Sequence, residues 1–191
     1  MPKRTRIVLL ASLLAALLLS AACAVDRQIE AVERAVEAYG GSYFELDDLP
    51  GQLANVLPQR GEDGTLFCTL NVRVPDYTKL NYDDVPFAMP PIDFDNADFA
   101  AYRLAFIGTL RDGAERYART HSVADFVSAE LRFNLTRIDG RWSAAVDNRS
   151  EQALDALVDG MISQIADTMI PSRPEFRLIE VAEHKDEVLS W

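Results

Sequence analysis

The chain has 191 residues, 49% of them hydrophobic and 26% charged, with 19 Lys and Arg against 30 Asp and Glu and a formal net charge of −11. So acidic a chain does not neutralise phosphate backbones, which excludes nonspecific nucleic-acid binding as its function. Two cysteines do not make a disulfide framework.

Lys3, Arg4 and Arg6 open the chain, Ile7 to Leu19 is apolar apart from Ser12, and Ser20-Ala21-Ala22-Cys23-Ala24 follows with small residues. That order predicts a signal peptide, since the apolar run is short for a membrane-spanning helix. Two processing routes compete. In the first, residues 1–22 are removed and Cys23 becomes a lipid-modified first residue. Leu19-Ser20-Ala21-Ala22-Cys23 resembles a bacterial lipobox, with its leucine four residues ahead of the cysteine where three is usual. In the second, Ala22-Cys23-Ala24 serves as an A-x-A-like site and a soluble chain is released after Ala24. Without residues 1–22, 16 basic residues face 30 acidic ones, a net charge of −14. Attachment to a membrane would then rest on the lipid, because the surface as a whole is not drawn to anionic headgroups. Cys68 would have no intrachain partner and is expected to act as a small buried hydrophobe.

Ile29, Val32, Val36 and Tyr39 recur at helical spacing from Asp26 onward, with Gly40-Gly41 as the stop. Glu30 and Arg34 are spaced for a helical ion pair. Ser42 to Leu57 reads as a short strand and a short helix, the latter opened by Asp47-Asp48-Leu49-Pro50. Pro58 to Gly64 is a loop. Thr65 to Val74 alternates as a strand ended by Pro75-Asp76, with Phe67 an apolar exception on the second face. Tyr77 to Pro91 is proline-rich and irregular, either a packing loop or a recognition loop. A long helix is expected over Asn96 to Arg119, with Phe99, Tyr102, Phe106, Leu110 and Tyr117 near one face and Leu104 and Ile107 widening the stripe. Asp95 or Asn96 is the expected cap. Gly108 and Gly113 allow a close crossing, a bend or a break.

The stretch from Ala129 to Ile165 carries the strongest pattern. Leu131, Phe133 and Leu135 alternate with polar residues, Asp139-Gly140 suits a two-residue turn, and Trp142, Ala144 and Val146 alternate on the return. That turn pairs Ile138 with Arg141, Arg137 with Trp142, Leu135 with Ala144 and Phe133 with Val146, so both apolar rows share one face. Asn148 and Glu151 read as a capping box for a helix striped by Leu154, Leu157, Val158, Met161, Ile162 and Ile165. Beyond Pro171, Phe176 to Val181 reads as a last strand at a sheet edge, followed by a charged tail ending in Trp191.

Little in the chain points to chemistry. Asp93, Asp95 and Asp98 lack the spacing of a calcium loop and are better explained as capping carboxylates. His121 and His184 belong to no metal-binding or hydrolytic arrangement, no catalytic residue is identified, and no metal or cofactor is expected. Arg103, Arg111, Arg116 and Arg119 are the main positive cluster, suited either to balancing acidic neighbours or to a groove for an anion. Asn134 and Asn148 stand in glycosylation sequons that strand and cap roles already explain.

An exported N-terminus, a helix, a strand ending Val72-Arg73-Val74-Pro75-Asp76, a long helix and the hairpin Leu131 to Trp142 follow one another. Together they resemble the NTF2-like, or cystatin-like, small lipoproteins of Gram-positive bacteria. The resemblance covers Asp26 to Ile165; the displaced lipobox leucine and the extension after Pro171 depart from it. It implies an α+β fold in which a curved antiparallel sheet packs against helices, as a single domain over 26–170 with a C-terminal extension over 171–191. It also implies that Phe133, Leu135, Trp142 and Val146, with Phe106 of the long helix, form either core or the wall of a ligand pocket. The expected function is that of a non-enzymatic, exported cell-envelope domain, anchored through Cys23 or secreted, that binds a small molecule or a protein. A structural or accessory envelope role and an enzyme using the concave face of the sheet are the alternatives.

Overall fold

The computed structural model describes residues 24–38 and 48–184. The expected signal peptide, Cys23, the strand expected near residue 44, the Gly40-Gly41 stop and the tail with Trp191 lie outside the described residues.

Helix α1 covers residues 24–38, α2 is Leu49–Asn55, β1 Gln59–Arg60, β2 Leu66–Pro75, α3 Phe99–Thr120, β3 Phe126–Ile138, β4 Arg141–Val146, α4 Asn148–Met169 and α5 Pro174–Glu183. The strands form an open antiparallel sheet in the order β1-β2-β3-β4, so the fold is mixed, with helices beside a meandering sheet. Two compact units divide the chain: residues 24–38, 48–72 and 130–151 in the first, residues 73–129 and 152–184 in the second.

In the first unit, β3 and β4 pair in the register that the two-residue turn dictates, from Ile138 with Arg141 to Phe133 with Val146. Asp139 and Gly140 hold φ angles of 49° and 80°, the left-handed conformations that a tight hairpin with right-handed strand twist demands. Leu131, Phe133 and Leu135 of β3 and Cys68, Leu70 and Val72 of β2 are buried, as are Ala31, Val32 and Val36 of α1 and Leu53 of α2. Asp48 caps α2 by accepting the Gly51 N–H. The other face of the sheet is partly covered: the Arg132 guanidinium lies 3.7 Å over the Phe67 ring. Arg132 also donates to the Asn134 side chain, which donates in turn to Asp147 at 2.9 Å. Asp147 accepts the Ser150 N–H, so it caps α4, one residue ahead of the expected Asn148. A carboxylate already held by Asn134 makes the better-placed acceptor, and Asn148 becomes the first helical residue.

In the second unit, α3 runs unbroken through Gly108 and Gly113. Its cap is Asp98, which accepts the Ala101 N–H at 3.0 Å, and not Asp95 or Asn96. Those two residues instead donate their backbone N–H groups to Asp93 in a local turn. Gly113 marks a close crossing. A Cβ there would stand 2.7 Å from the Pro86 carbonyl oxygen. Leu104, expected to widen the buried stripe, is 66% exposed. The proline-rich segment is a packing loop: Tyr77 and Val85 are buried, Phe87 meets Phe106 edge-on, and the Tyr102 hydroxyl donates to the Pro90 carbonyl.

Residues 176–181 are helical, contrary to the expected edge strand. Phe176 and Ile179 are buried three residues apart, while Leu178 and Val181 face out. Phe176 sits edge-on to Phe99, Tyr102 and Phe106 of α3, with ring centroids 5.0–5.7 Å apart. Pro174, tolerated in a first turn, opens the helix.

Candidate functional site

The residues expected to form core or pocket separate into two groups. Phe133 and Leu135 are buried in the first unit, where they face Val146 and Ala144 across the hairpin. Phe106 is buried in the second unit, inside the aromatic cluster around Phe176. Val146 and Trp142 are only half-buried. Trp142 reaches the surface and there becomes part of an open cleft.

That cleft has a volume of about 480 Å³ and is lined by Arg27, Glu30 and Arg34 of α1 and by Gly140, Arg141 and Trp142 of the hairpin. Helical spacing explains one wall, since positions 27, 30 and 34 fall on a single face of α1. The turn explains the other. Register puts Trp142 opposite Arg137, with the Trp142 carbonyl oxygen accepting from the Arg34 guanidinium at a long 3.5 Å. Arg34 thus reaches across to the strand, and the expected helical ion pair with Glu30 is not formed among the described residues. Three guanidinium groups, one carboxylate and an indole line the space. Arg27, Glu30, Arg34 and Arg141 are all exposed. Among the described residues, the lining holds neither a nucleophile nor a paired acid and base. It is equipped to hold a ligand: guanidinium groups match planar or tetrahedral anions, and an indole offers an apolar face. Sequence reading had singled out Arg34 and Trp142, but not Arg27 or Arg141, and no local signal ties positions 27 and 34 to position 141.

A second open cleft, of about 450 Å³, is lined by Gln52, Asn55 and Asn71 among others. The Gln52 and Asn55 side-chain amides are already engaged. Gln52 bonds both the N–H and the carbonyl of Asn71, at 2.8 and 2.9 Å, and Asn55 donates to the Gly51 carbonyl.

The positive cluster on α3 is not a groove. Arg111 bonds Glu115, Asp155 and Asp159, Arg103 bonds Asp167, and Arg119 bonds Glu115, all between 2.6 and 3.3 Å. Burial works against the charge on Arg111, but its bonds to Glu115 and Asp155 outweigh that and hold its pKa above the ordinary value. Cys68 is fully buried, and desolvation pushes its thiol up. The Tyr77 hydroxyl is buried without a hydrogen-bond partner, and burial, reinforced by Glu115, raises its pKa. His121 stacks on Tyr117 with centroids 4.1 Å apart, and His184 Nδ1 lies 2.9 Å from the Glu180 carbonyl oxygen. Among the described residues, no aspartate or histidine is buried, no group of three or more His, Cys, Asp or Glu side chains suits a metal ion, and no helix is long and apolar enough to cross a membrane.

Compared with known proteins, the chain matches no family model, no curated protein and no solved structure.

Proposed function

We propose that this protein is an exported, non-enzymatic cell-envelope domain of NTF2-like architecture, held at the membrane by a lipid on Cys23, and that it acts by binding a ligand in the cleft between α1 and the β3–β4 turn. The observation that carries this reading is the cleft itself. It is solvent-open, its described lining sets four charged side chains beside a half-buried tryptophan, and that lining suits retention of a ligand over its cleavage. Its position adds support. Helix α1 is described from residue 24, which follows Cys23 in sequence, so a lipid on Cys23 would lie close in sequence to the helix that forms one wall.

Mass spectrometry of protein extracted from its own membranes tests both parts. Under denaturing conditions, the expected species begins at a diacylated Cys23; a soluble chain beginning at Val25 contradicts anchoring. Under native conditions, the wild type is expected to retain an envelope-derived adduct. Glu30→Trp, an exposed position whose larger side chain fills the cleft, is expected to lose it. An adduct retained equally by both contradicts binding in the cleft.

A further inference from the structure

Resting on that reading of the cleft, we infer that its ligand carries a phosphate ester, recognised by Arg27, Arg34 and Arg141 with the Trp142 indole against the group the phosphate is attached to. The charge balance is the first argument. In a chain with 30 acidic and 19 basic residues, Arg103, Arg111 and Arg119 of α3 pair with carboxylates. Among the described residues, the cleft reverses this, with three guanidinium groups and one carboxylate, Glu30. Among the described residues, Arg27 and Arg141 form no ion pair, and Arg34 makes only the long bond to the Trp142 carbonyl. Among the described residues, the carboxylate that shares the cleft with these three positive charges is Glu30.

Geometry is the second argument. The guanidinium groups come from two elements, α1 and the hairpin, and therefore approach the space from two sides. A tetrahedral anion with three or four acceptor oxygens uses donors from several directions, and charge-assisted bonds to it are the strong kind. A volume of about 480 Å³ exceeds what a bare phosphate needs and leaves room for an ester group along the indole. Glu30 limits how much negative charge the cleft accepts and favours a ligand that also presents hydroxyl donors to it. The same chemistry is offered by a free phosphorylated alcohol and by the headgroup of an anionic lipid. The overall acidity disfavours general adsorption to a charged bilayer, but not insertion of one headgroup into a local basic cleft.

The test uses the full-length protein in phosphatidylcholine proteoliposomes, with Trp191→Phe leaving Trp142 as the sole tryptophan, excited selectively over the six tyrosines. Titration with sn-glycerol 3-phosphate at constant ionic strength is expected to change Trp142 emission saturably. Arg27→Gln/Arg141→Gln is expected to weaken binding by about tenfold or more, as loss of charge-assisted bonds implies, with unchanged thermal unfolding because both side chains are exposed. Glu30→Gln is expected to tighten it. Proteoliposomes that also contain phosphatidylglycerol identify the source. Emission already shifted and unresponsive to glycerol 3-phosphate assigns the cleft to the lipid headgroup; an unaltered titration assigns it to the soluble ester. No response of Trp142 to either probe, or equal affinity in the double variant, overturns the phosphate assignment. If the native adduct then persists in the wild type and is lost in Glu30→Trp, the cleft still binds a ligand of other chemistry; if the adduct is absent too, the binding reading falls with it.

Discussion

Asp147 concentrates several roles in one carboxylate. It receives the Asn134 amide at 2.9 Å, accepts the Ser150 N–H at the start of α4, and donates its own N–H to the Arg132 carbonyl. The Asn134 bond, ahead of the Ser150 bond and the charge of Arg132, holds its pKa below the ordinary 3.8. A depressed folded-state pKa means that this stabilisation is complete above the unfolded value and is lost as pH falls through the folded one. Asp147→Ala is expected to cost about 1–2 kcal/mol in urea unfolding at neutral pH, the range for a lost N-cap. Asp147→Asn is expected to flatten the acid limb of stability below pH 3.8, and an unchanged limb would contradict the role. Cys68 makes the opposite case. Its thiol is fully buried and its pKa raised by desolvation, so a thiol reagent is expected to react with it only after denaturant is added; rapid labelling of the native protein would show that the core around β2 opens. Both residues illustrate what single positions reveal in sequence. Burial of Cys68 was legible from the alternation of β2. The cap was placed one residue late because Asn148 and Asp147 are equally good acceptors in a string of letters, and only the Asn134 amide, 13 positions away, chooses between them.

At the scale of elements, two glycines of one helix are expected to respond in opposite directions. Gly113→Ala puts a methyl group 2.7 Å from the Pro86 carbonyl oxygen and 3.0 Å from Phe87 Cβ. It is expected to destabilise by about 1–3 kcal/mol, as overpacking does. Gly108 has nothing within 4 Å of an added Cβ, so Gly108→Ala is expected to stabilise by about 0.5–1 kcal/mol through helix propensity. Thermal unfolding of the two variants checks the pair, and equal shifts would contradict the close crossing. The hairpin was the most legible element because a two-residue turn fixes every pairing that follows. Residues 176–181 were the least. Phe176, Leu178, Ile179 and Val181 satisfy either a period of two or a helical period, and the choice is made by Phe99, Tyr102 and Phe106, about 70 residues earlier in sequence. Of the two readings of the α3 arginines, the structure supports balancing of acidic neighbours for Arg103 and Arg111, but the carboxylates that pair with them lie 44 to 64 positions away on α4.

For the molecule as a whole, the mixed architecture of helices and a meandering antiparallel sheet was readable, because long apolar stripes and a strict alternation each report their own element. The candidate site was readable only in part. Trp142 is expected in the core or the wall of a pocket and stands half-buried beside an open cleft, while Phe133, Leu135 and Phe106 are buried. What joins Trp142 to Arg34 is a contact across 108 positions, for which sequence periodicity has no signal. The proposed function belongs to this scale: a lipid-tethered domain that would hold its ligand between α1 and the hairpin turn. Hydrogen exchange of the full-length protein, with and without a small-molecule extract of its own envelope, tests that most directly. Slower exchange is expected in residues 24–38 and at the turn around Gly140 to Trp142. Protection confined to α3 and α5, or no change at either wall of the cleft, would contradict it.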